Sequence, residues 1–166
     1  MKQNHSEKKT CKKDEVNYWK LFIDGASRNN PGPAGAGIYI VKNDQAFKKV
    51  GFWLGSKTNN QAEYLSLVLG LFCLKKYICK DDIVMIISDS QLLVRQVLGE
   101  YKVKNSGLRP LFQLSKQLLS DVNYNIAHVL RHENTVADKM ANIGVDKGAK
   151  VPQDFLDMLQ SYDIRL

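Results

Sequence analysis

The sequence lacks any apolar stretch long enough to cross a bilayer. Its longest such run, residues 65–74, falls well short of the ~20 residues a membrane helix needs. No apolar segment follows the lysine-rich start, which excludes a secretory signal peptide of the usual form. Cysteine is scarce: Cys11, Cys73 and Cys79 are odd in number and have no metal-like spacing. That argues against a disulfide scaffold and for a reducing, cytoplasmic setting, with Cys73 a small buried hydrophobe in a helical apolar run. There is no internal repeat and no sign of a second domain. The 166 residues suffice for one domain with a substantial core, read here as a monomer with no membrane partner.

What is present is positive charge. Lysine and arginine number 24 against 17 acids, giving a net charge of +7 and a pI near 9.3. Such a balance favours an anionic partner, most often nucleic acid. Residues 1–17 carry five lysines against Glu7, Asp14 and Glu15 and bury too little to order themselves. They read as a flexible basic arm, either touching phosphates loosely or simply solvated.

The segment Tyr18-Trp19-Lys20-Leu21-Phe22-Ile23-Asp24-Gly25 begins as a strand and ends in an acid followed by glycine. A loop over residues 26–33 leads to a second strand, 34–41, whose Gly35 and Gly37 suggest close packing against another backbone. A turn at 42–45 returns a third strand, 46–54, which predicts an antiparallel meander. Asn59 or Asn60 caps a helix from about Gln61 that is apolar on nearly all sides and therefore central. A buried strand at 83–87 precedes a helix running from Ser88-Asp89-Ser90 to about Leu98. After a polar link, 99–107, come a helix at 108–119, a strand at 122–130 and a helix at 135–145. The tail, 148–166, allows a short helix over 152–160. The order predicts an α/β fold with a five-stranded mixed sheet, strands one to three antiparallel and helices on both faces.

Four acids stand out. Each has an ordinary explanation: Asp24-Gly25 as a turn, Glu63 in an Asn60-x-x-Glu63 capping box, Asp89 as an N-cap, Asp138 as an exposed helix acid. Together they suggest more. Asp24 and Asp89 both end apolar strands, and on neighbouring strands such ends lie about 5 Å apart. Glu63 and Asp138 enter from helix starts. Clustered carboxylates repel and need a cation, and as hard oxygen ligands they suit Mg²⁺ or Mn²⁺.

The residues Asp24-Gly25-Ala26-Ser27, Gly35-x-Gly37, Asn59-Asn60-Gln61-Ala62-Glu63, Ser88-Asp89-Ser90-Gln91 and Asn134-x-x-Ala137-Asp138 resemble, in order, the motifs of type 1 ribonuclease H. The resemblance covers residues 18–147. It implies a ribonuclease H-like fold and endonucleolytic hydrolysis of the RNA strand of RNA–DNA hybrids, leaving 5′-phosphate and 3′-hydroxyl ends. It also implies that Asp24, Glu63, Asp89 and Asp138 hold two metal ions, Mg²⁺ with Mn²⁺ as substitute, when substrate is bound. Two such ions can activate water and stabilise the leaving oxygen. Gly25, Ser27, Asn59, Asn60 and Gln91 match substrate-contacting positions, where the 2′-hydroxyls would be read across the minor groove. Thr58 and Asn105 match a pocket for a DNA-strand phosphate.

The sequence departs from that pattern twice. The basic, tryptophan-containing helix found in many relatives is absent, and only residues 99–107 fill its place. Grip on the hybrid would then come from Lys102, Lys104 and the N-terminal arm. The loop before the last acid is short and glycine-free, leaving His128 or His132 in place of the family's mobile histidine. The alternatives are a non-catalytic hybrid-binding module, another nuclease of the same fold, or a reverse-transcriptase fragment.

Overall fold

A computed structural model describes residue 11 and residues 15–166 of the chain. The expected basic arm lies largely outside the described residues. Strands β1 (Tyr18–Ser27), β2 (Gly32–Lys42), β3 (Gln45–Lys57), β4 (Ile83–Ser88) and β5 (Asn123–His128) form one sheet in the order β3-β2-β1-β4-β5. The first three pair antiparallel, while β4 joins β1, and β5 joins β4, in parallel. The helices are α1 (Asn59–Leu74), α2 (Gln91–Val97), α3 (Arg109–Leu119), α4 (Thr135–Lys147) and α5 (Gln153–Ser161).

Alternation in β1 sets the layers. Leu21 and Ile23 are fully buried, and their side chains are the nearest neighbours of Gly70 in α1. A Cβ on Gly25 would strike the backbone of Ala62 and Glu63 at 2.3 Å, so α1 covers that face. Asp24 is one residue away and pairs with Gly37, whose Cβ would lie 2.0 Å from the Ala137 carbonyl of α4. Successive strand residues point to opposite faces, so α4 covers the other side. Helix α1, buried along Leu65, Leu67, Val68, Leu69 and Leu71, is central as its composition predicts. Phe155 of α5 meets Phe72 of α1 edge-on at 5.3 Å.

Several boundaries differ from expectation. β1 does not stop at Asp24 but runs on to Ser27, because small residues in β2 continue the ladder to Ala34. α1 is capped by neither Asn59 nor Asn60. Thr58 Oγ1 accepts from Gln61 N at 3.2 Å, and Gln61 Oε1 accepts from Thr58 N at 2.9 Å. That reciprocal pair replaces the expected Asn60–Glu63 box. α2 is capped by Ser90, whose Oγ accepts from Leu93 N, and not by Asp89.

The cysteines also depart from expectation, since Cys11 and Cys79 form a disulfide with Cα atoms 5.8 Å apart. Their sequence separation of 68 hides a contact that the sheet creates. Tyr18 pairs with Ile83, so the segments leading into β1 and β4 run side by side. Asp82 ties the same segments together. It accepts from the Asn17 and Cys79 backbone N–H groups and from Trp19 Nε1, each at 2.9 Å. Burial opposes its ionisation, but these donors prevail and hold its carboxyl below the usual range. Cys73 is buried and free, as predicted.

The glycines of β2 and β3 form the seat of α4. A Cβ on Gly35 would lie 2.4 Å from Ala141 O, and one on Gly51 2.1 Å from Met140 O. Gly37→Ala is therefore expected to destabilise the fold by about 1–3 kcal/mol through forced displacement of α4. A lower urea midpoint with unchanged m-value would confirm this; an unchanged midpoint would refute it.

Candidate active site

Three acids converge at one end of the sheet. Ile23 pairs with Ser88, so the next residues, Asp24 within β1 and Asp89 just past the end of β4, stand side by side. Glu63 reaches them from the first turns of α1, which can approach because residue 25 has no side chain. The Gly25 N–H donates to Glu63 Oε2 at 3.1 Å and fixes the carboxylate over the strand end. One oxygen from each of Asp24, Glu63 and Asp89 lies within 4.8 Å of the others. Asp24 is buried, and the other two are half-buried.

This arrangement disfavours full ionisation. Burial first, then the charges of Asp89 and Asp138, push the Asp24 carboxyl from 3.8 up to about 8. Glu63 is raised well above its ordinary value by burial, then by Asp24 and Asp89, against the opposing Gly25 hydrogen bond. A group of hard oxygen donors that repel one another fits a divalent cation, whose charge would relieve the repulsion.

Asp138, the fourth expected acid, stands in the first turn of α4. It acts on Asp24 through its charge but lies outside the close trio. Arg131 holds it, with Nη2 at 2.8 Å and Nε at 3.2 Å from Asp138 Oδ1. The sequence gives no periodic signal for this pair, because a 3-10 turn (Arg131–Glu133) intervenes. Asn134, expected only as a member of the Asn134-x-x-Ala137-Asp138 motif, has contacts of its own. It is buried, and its amide donates to Ile23 O at 2.9 Å and to Asp89 Oδ1 at 3.2 Å. Asn is a common N-cap residue, which masks this role, yet here its side chain makes no cap to α4. Its Oδ1 has no hydrogen-bond partner among the described residues.

The remaining expected residues lie outside the acid trio. Ser27 Oγ donates to Lys57 O at 2.6 Å, and Asn59 N donates to Asn30 Oδ1 at 2.9 Å, tying the loop after β1 to the start of α1. Asn59, Asn60 and Gln91 have exposed side chains at helix starts. Thr58 serves as the α1 cap, and Asn105 Oδ1 accepts from Gly107 N at 2.8 Å. His128 ends β5 and His132 lies in the 3-10 turn; both are exposed, and neither belongs to the acid trio.

A family model described as "Reverse transcriptase-like" matches residues 22–144. The chain is 31% identical over 153 residues to "Ribonuclease H" of Coxiella burnetii, covering 83% of this chain and 96% of that protein. It is 36% identical over 133 residues to "Bifunctional protein Rv2228c" of Mycobacterium tuberculosis, covering 78% of this chain but 36% of the relative. The chain thus spans about a third of the length of the mycobacterial relatives it matches. Among solved structures, LC11-RNase H1 in complex with an RNA/DNA hybrid superposes with a TM-score of 0.71 at 32% identity, covering 79% of this chain and 97% of that one.

The raised acids set a pH dependence. In the unfolded chain Asp24 titrates near 3.8; in the folded, metal-free protein it keeps its proton to about 8. Between those values the folded state binds the extra proton, so stability falls as pH rises and the contribution is gone above about 8. Glu63 acts in the same direction. The melting temperature of chelator-treated protein should therefore drop from pH 5 to pH 8. Millimolar Mg²⁺ should raise it more at pH 8 than at pH 5. Asp24→Asn should stabilise the metal-free protein at pH 8 by about 2–5 kcal/mol. A variant no more stable than the parent would overturn this account.

Proposed function

Since the chain belongs to the type 1 ribonuclease H family, we propose that it is an endoribonuclease that hydrolyses the RNA strand of RNA–DNA hybrids. The observation that carries the reading is the convergence of Asp24, Glu63 and Asp89 within 4.8 Å, with Asp138 adjacent. The four acids would hold two divalent ions, Mg²⁺ or Mn²⁺. Such ions supply an activated water at neutral pH and charge stabilisation for the leaving oxygen. The expected ends are a 5′-phosphate and a 3′-hydroxyl.

The chain's own residues set the geometry. Asn134 fixes Asp89 against β1 at Ile23, and the Gly25 N–H fixes Glu63. The rigidity of two paired strands and a buried helix keeps these carboxylates aimed without reorganisation. Arg131 orients Asp138 and is exposed enough to release it. Gly25, Ser27, Asn59, Asn60 and Gln91 would contact the substrate, with 2′-hydroxyls read across the minor groove selecting RNA. The LC11 relative supports the choice of substrate, being solved with an RNA/DNA hybrid.

The test is cleavage of matched hybrid, double-stranded RNA and double-stranded DNA, each with and without Mg²⁺. Cutting confined to the RNA strand of the hybrid, and dependent on the ion, is expected. Asp89→Asn should lower the rate by roughly 10⁴-fold, the scale on which one member of a catalytic unit is lost. The same variant should retain its fold and most of its hybrid affinity. Undiminished cleavage by the variant, or binding of hybrid with no cleavage by the parent, would sink the proposal.

A further inference from the structure

Among the described residues, α4 is the one helix on its side of the sheet, and it covers only part of that side. It sits on Gly35, Gly37 and Gly51. Helices α2, α3 and α5 pack with α1 on the opposite side. The strand residues next to the seat of α4 form a row: Phe22 pairs with Tyr39, and Tyr39 with Lys49. Lys20 stands two residues back along β1 from Phe22, and Tyr18 two further. Side chains at that interval project to one face, which here is the face that carries Asp24. Trp19 and Leu21, which alternate with them, are buried towards α1.

A sheet face left to water is ordinarily polar. This one offers rings interleaved with cations. Tyr18 is 61% exposed. Phe22 and Tyr39 are half-buried, with ring centroids 5.4 Å apart. Lys20 and Lys49 are exposed. Lys20 Nζ lies 2.7 Å from Asp44 in the turn between β2 and β3, a surface pair weak enough for another anion to replace. The residues paired with Tyr18, Lys20 and Phe22 across β2 and β4 include no carboxylate.

The combination selects among partners. Lysine is depleted where protein surfaces meet, which weighs against a protein on this face. Rings and ammonium groups together complement a chain of π-faces on an anionic backbone. A duplex keeps its bases stacked on one another, whereas a single strand can lay them on side-chain rings. Tyr18 and Phe22 are about 13 Å apart along β1, with Lys20 between them.

We propose that this face binds a single-stranded nucleic-acid segment, whose bases stack on Tyr18 and on the Phe22–Tyr39 pair and whose phosphates meet Lys20 and Lys49. It is a second nucleic-acid surface, distinct from the acid centre and independent of the hybrid-cleavage reading. Asp24 is two residues along from Phe22, about 7 Å, so an unpaired end of a substrate held at the acid centre is within reach of the rings.

The experiment titrates the full chain, with chelator present, into a fluorescently labelled short oligouridine and reads anisotropy across a salt series. Tyr18→Ala should weaken binding about fivefold or more, the loss of one stacked base, and Tyr18→Phe should restore it. Lys49→Gln should lessen the slope of log K against log salt by about 0.7, the value for one single-strand phosphate. Affinity for a blunt-ended hybrid and the urea midpoint should not change in any of the three variants. Oligouridine binding that Tyr18→Ala leaves intact overturns the proposal. So does an equal loss of affinity for the blunt hybrid, which would put the effect in the cleft or in the fold at large. A parent that ignores oligouridine but sediments as a dimer that Tyr18→Ala dissolves would give the face to a second copy of the chain, and the proposal would fall.

Discussion

Mutual repulsion among carboxylates is the constraint to which this fold is fitted. Asp24, Glu63 and Asp89 share a volume in which the free protein cannot easily ionise all three, and burial makes water a poor screen. Left to themselves such side chains would turn apart. They do not, because each is fixed from a different direction. Asp24 is held by ladder pairing to Gly37, Glu63 by a backbone N–H, and Asp89 by the amide of Asn134. The hydrophobic core supplies the force: burying Leu21, Ile23, Leu67 and Ile86 locks the strands and α1 in the relative positions that impose the repulsion. The site is thus strained towards a cation, and the stability of the scaffold sustains that strain.

Neighbouring residues keep the acids free for this use. A carboxylate at a helix start ordinarily becomes a cap. Here Thr58 and Gln61 cap α1, and Ser90 caps α2, so Glu63 and Asp89 are not consumed. The glycines do the complementary work. Gly25 admits α1 to the strand, while Gly35, Gly37 and Gly51 admit α4 on the other face. Without that second approach Asp138 would stand too far off to act on Asp24.

Much of this was legible before any coordinates. The strand order of an antiparallel meander, the central helix and a continuous apolar β4 follow from periodicity and composition, because those patterns record burial directly. The four acids were legible as candidates, and the fold brings Asp24, Glu63 and Asp89 together while Asp138 stays outside the close trio. What stayed hidden was local competition. Asn60, Glu63 and Asp89 are all credible caps by residue type, and only the backbone geometry shows Thr58 and Ser90 taking that role. The disulfide was hidden for a different reason: its partners meet only because β1 and β4 are parallel neighbours. Arg131 and Asn134 lie on irregular backbone, where no period exists to reveal what a side chain faces.

The difference between the inner trio and Asp138 bears on how the site would load. The trio is locked by buried or half-buried partners, whereas Asp138 is held by an arginine whose side chain is 78% exposed. An ion pair of that kind contributes about 0–1 kcal/mol and is screened by salt. Exchanging Arg131 for a divalent ion would therefore cost little, while moving Asp24 would mean breaking sheet pairing and moving Asp89 would mean losing its hydrogen bond from buried Asn134. One side of the centre is preformed and the other is adjustable. Tight positioning where charge must be concentrated and slack where a ligand must enter and leave follow from burial on one side of the acid cluster and exposure on the other.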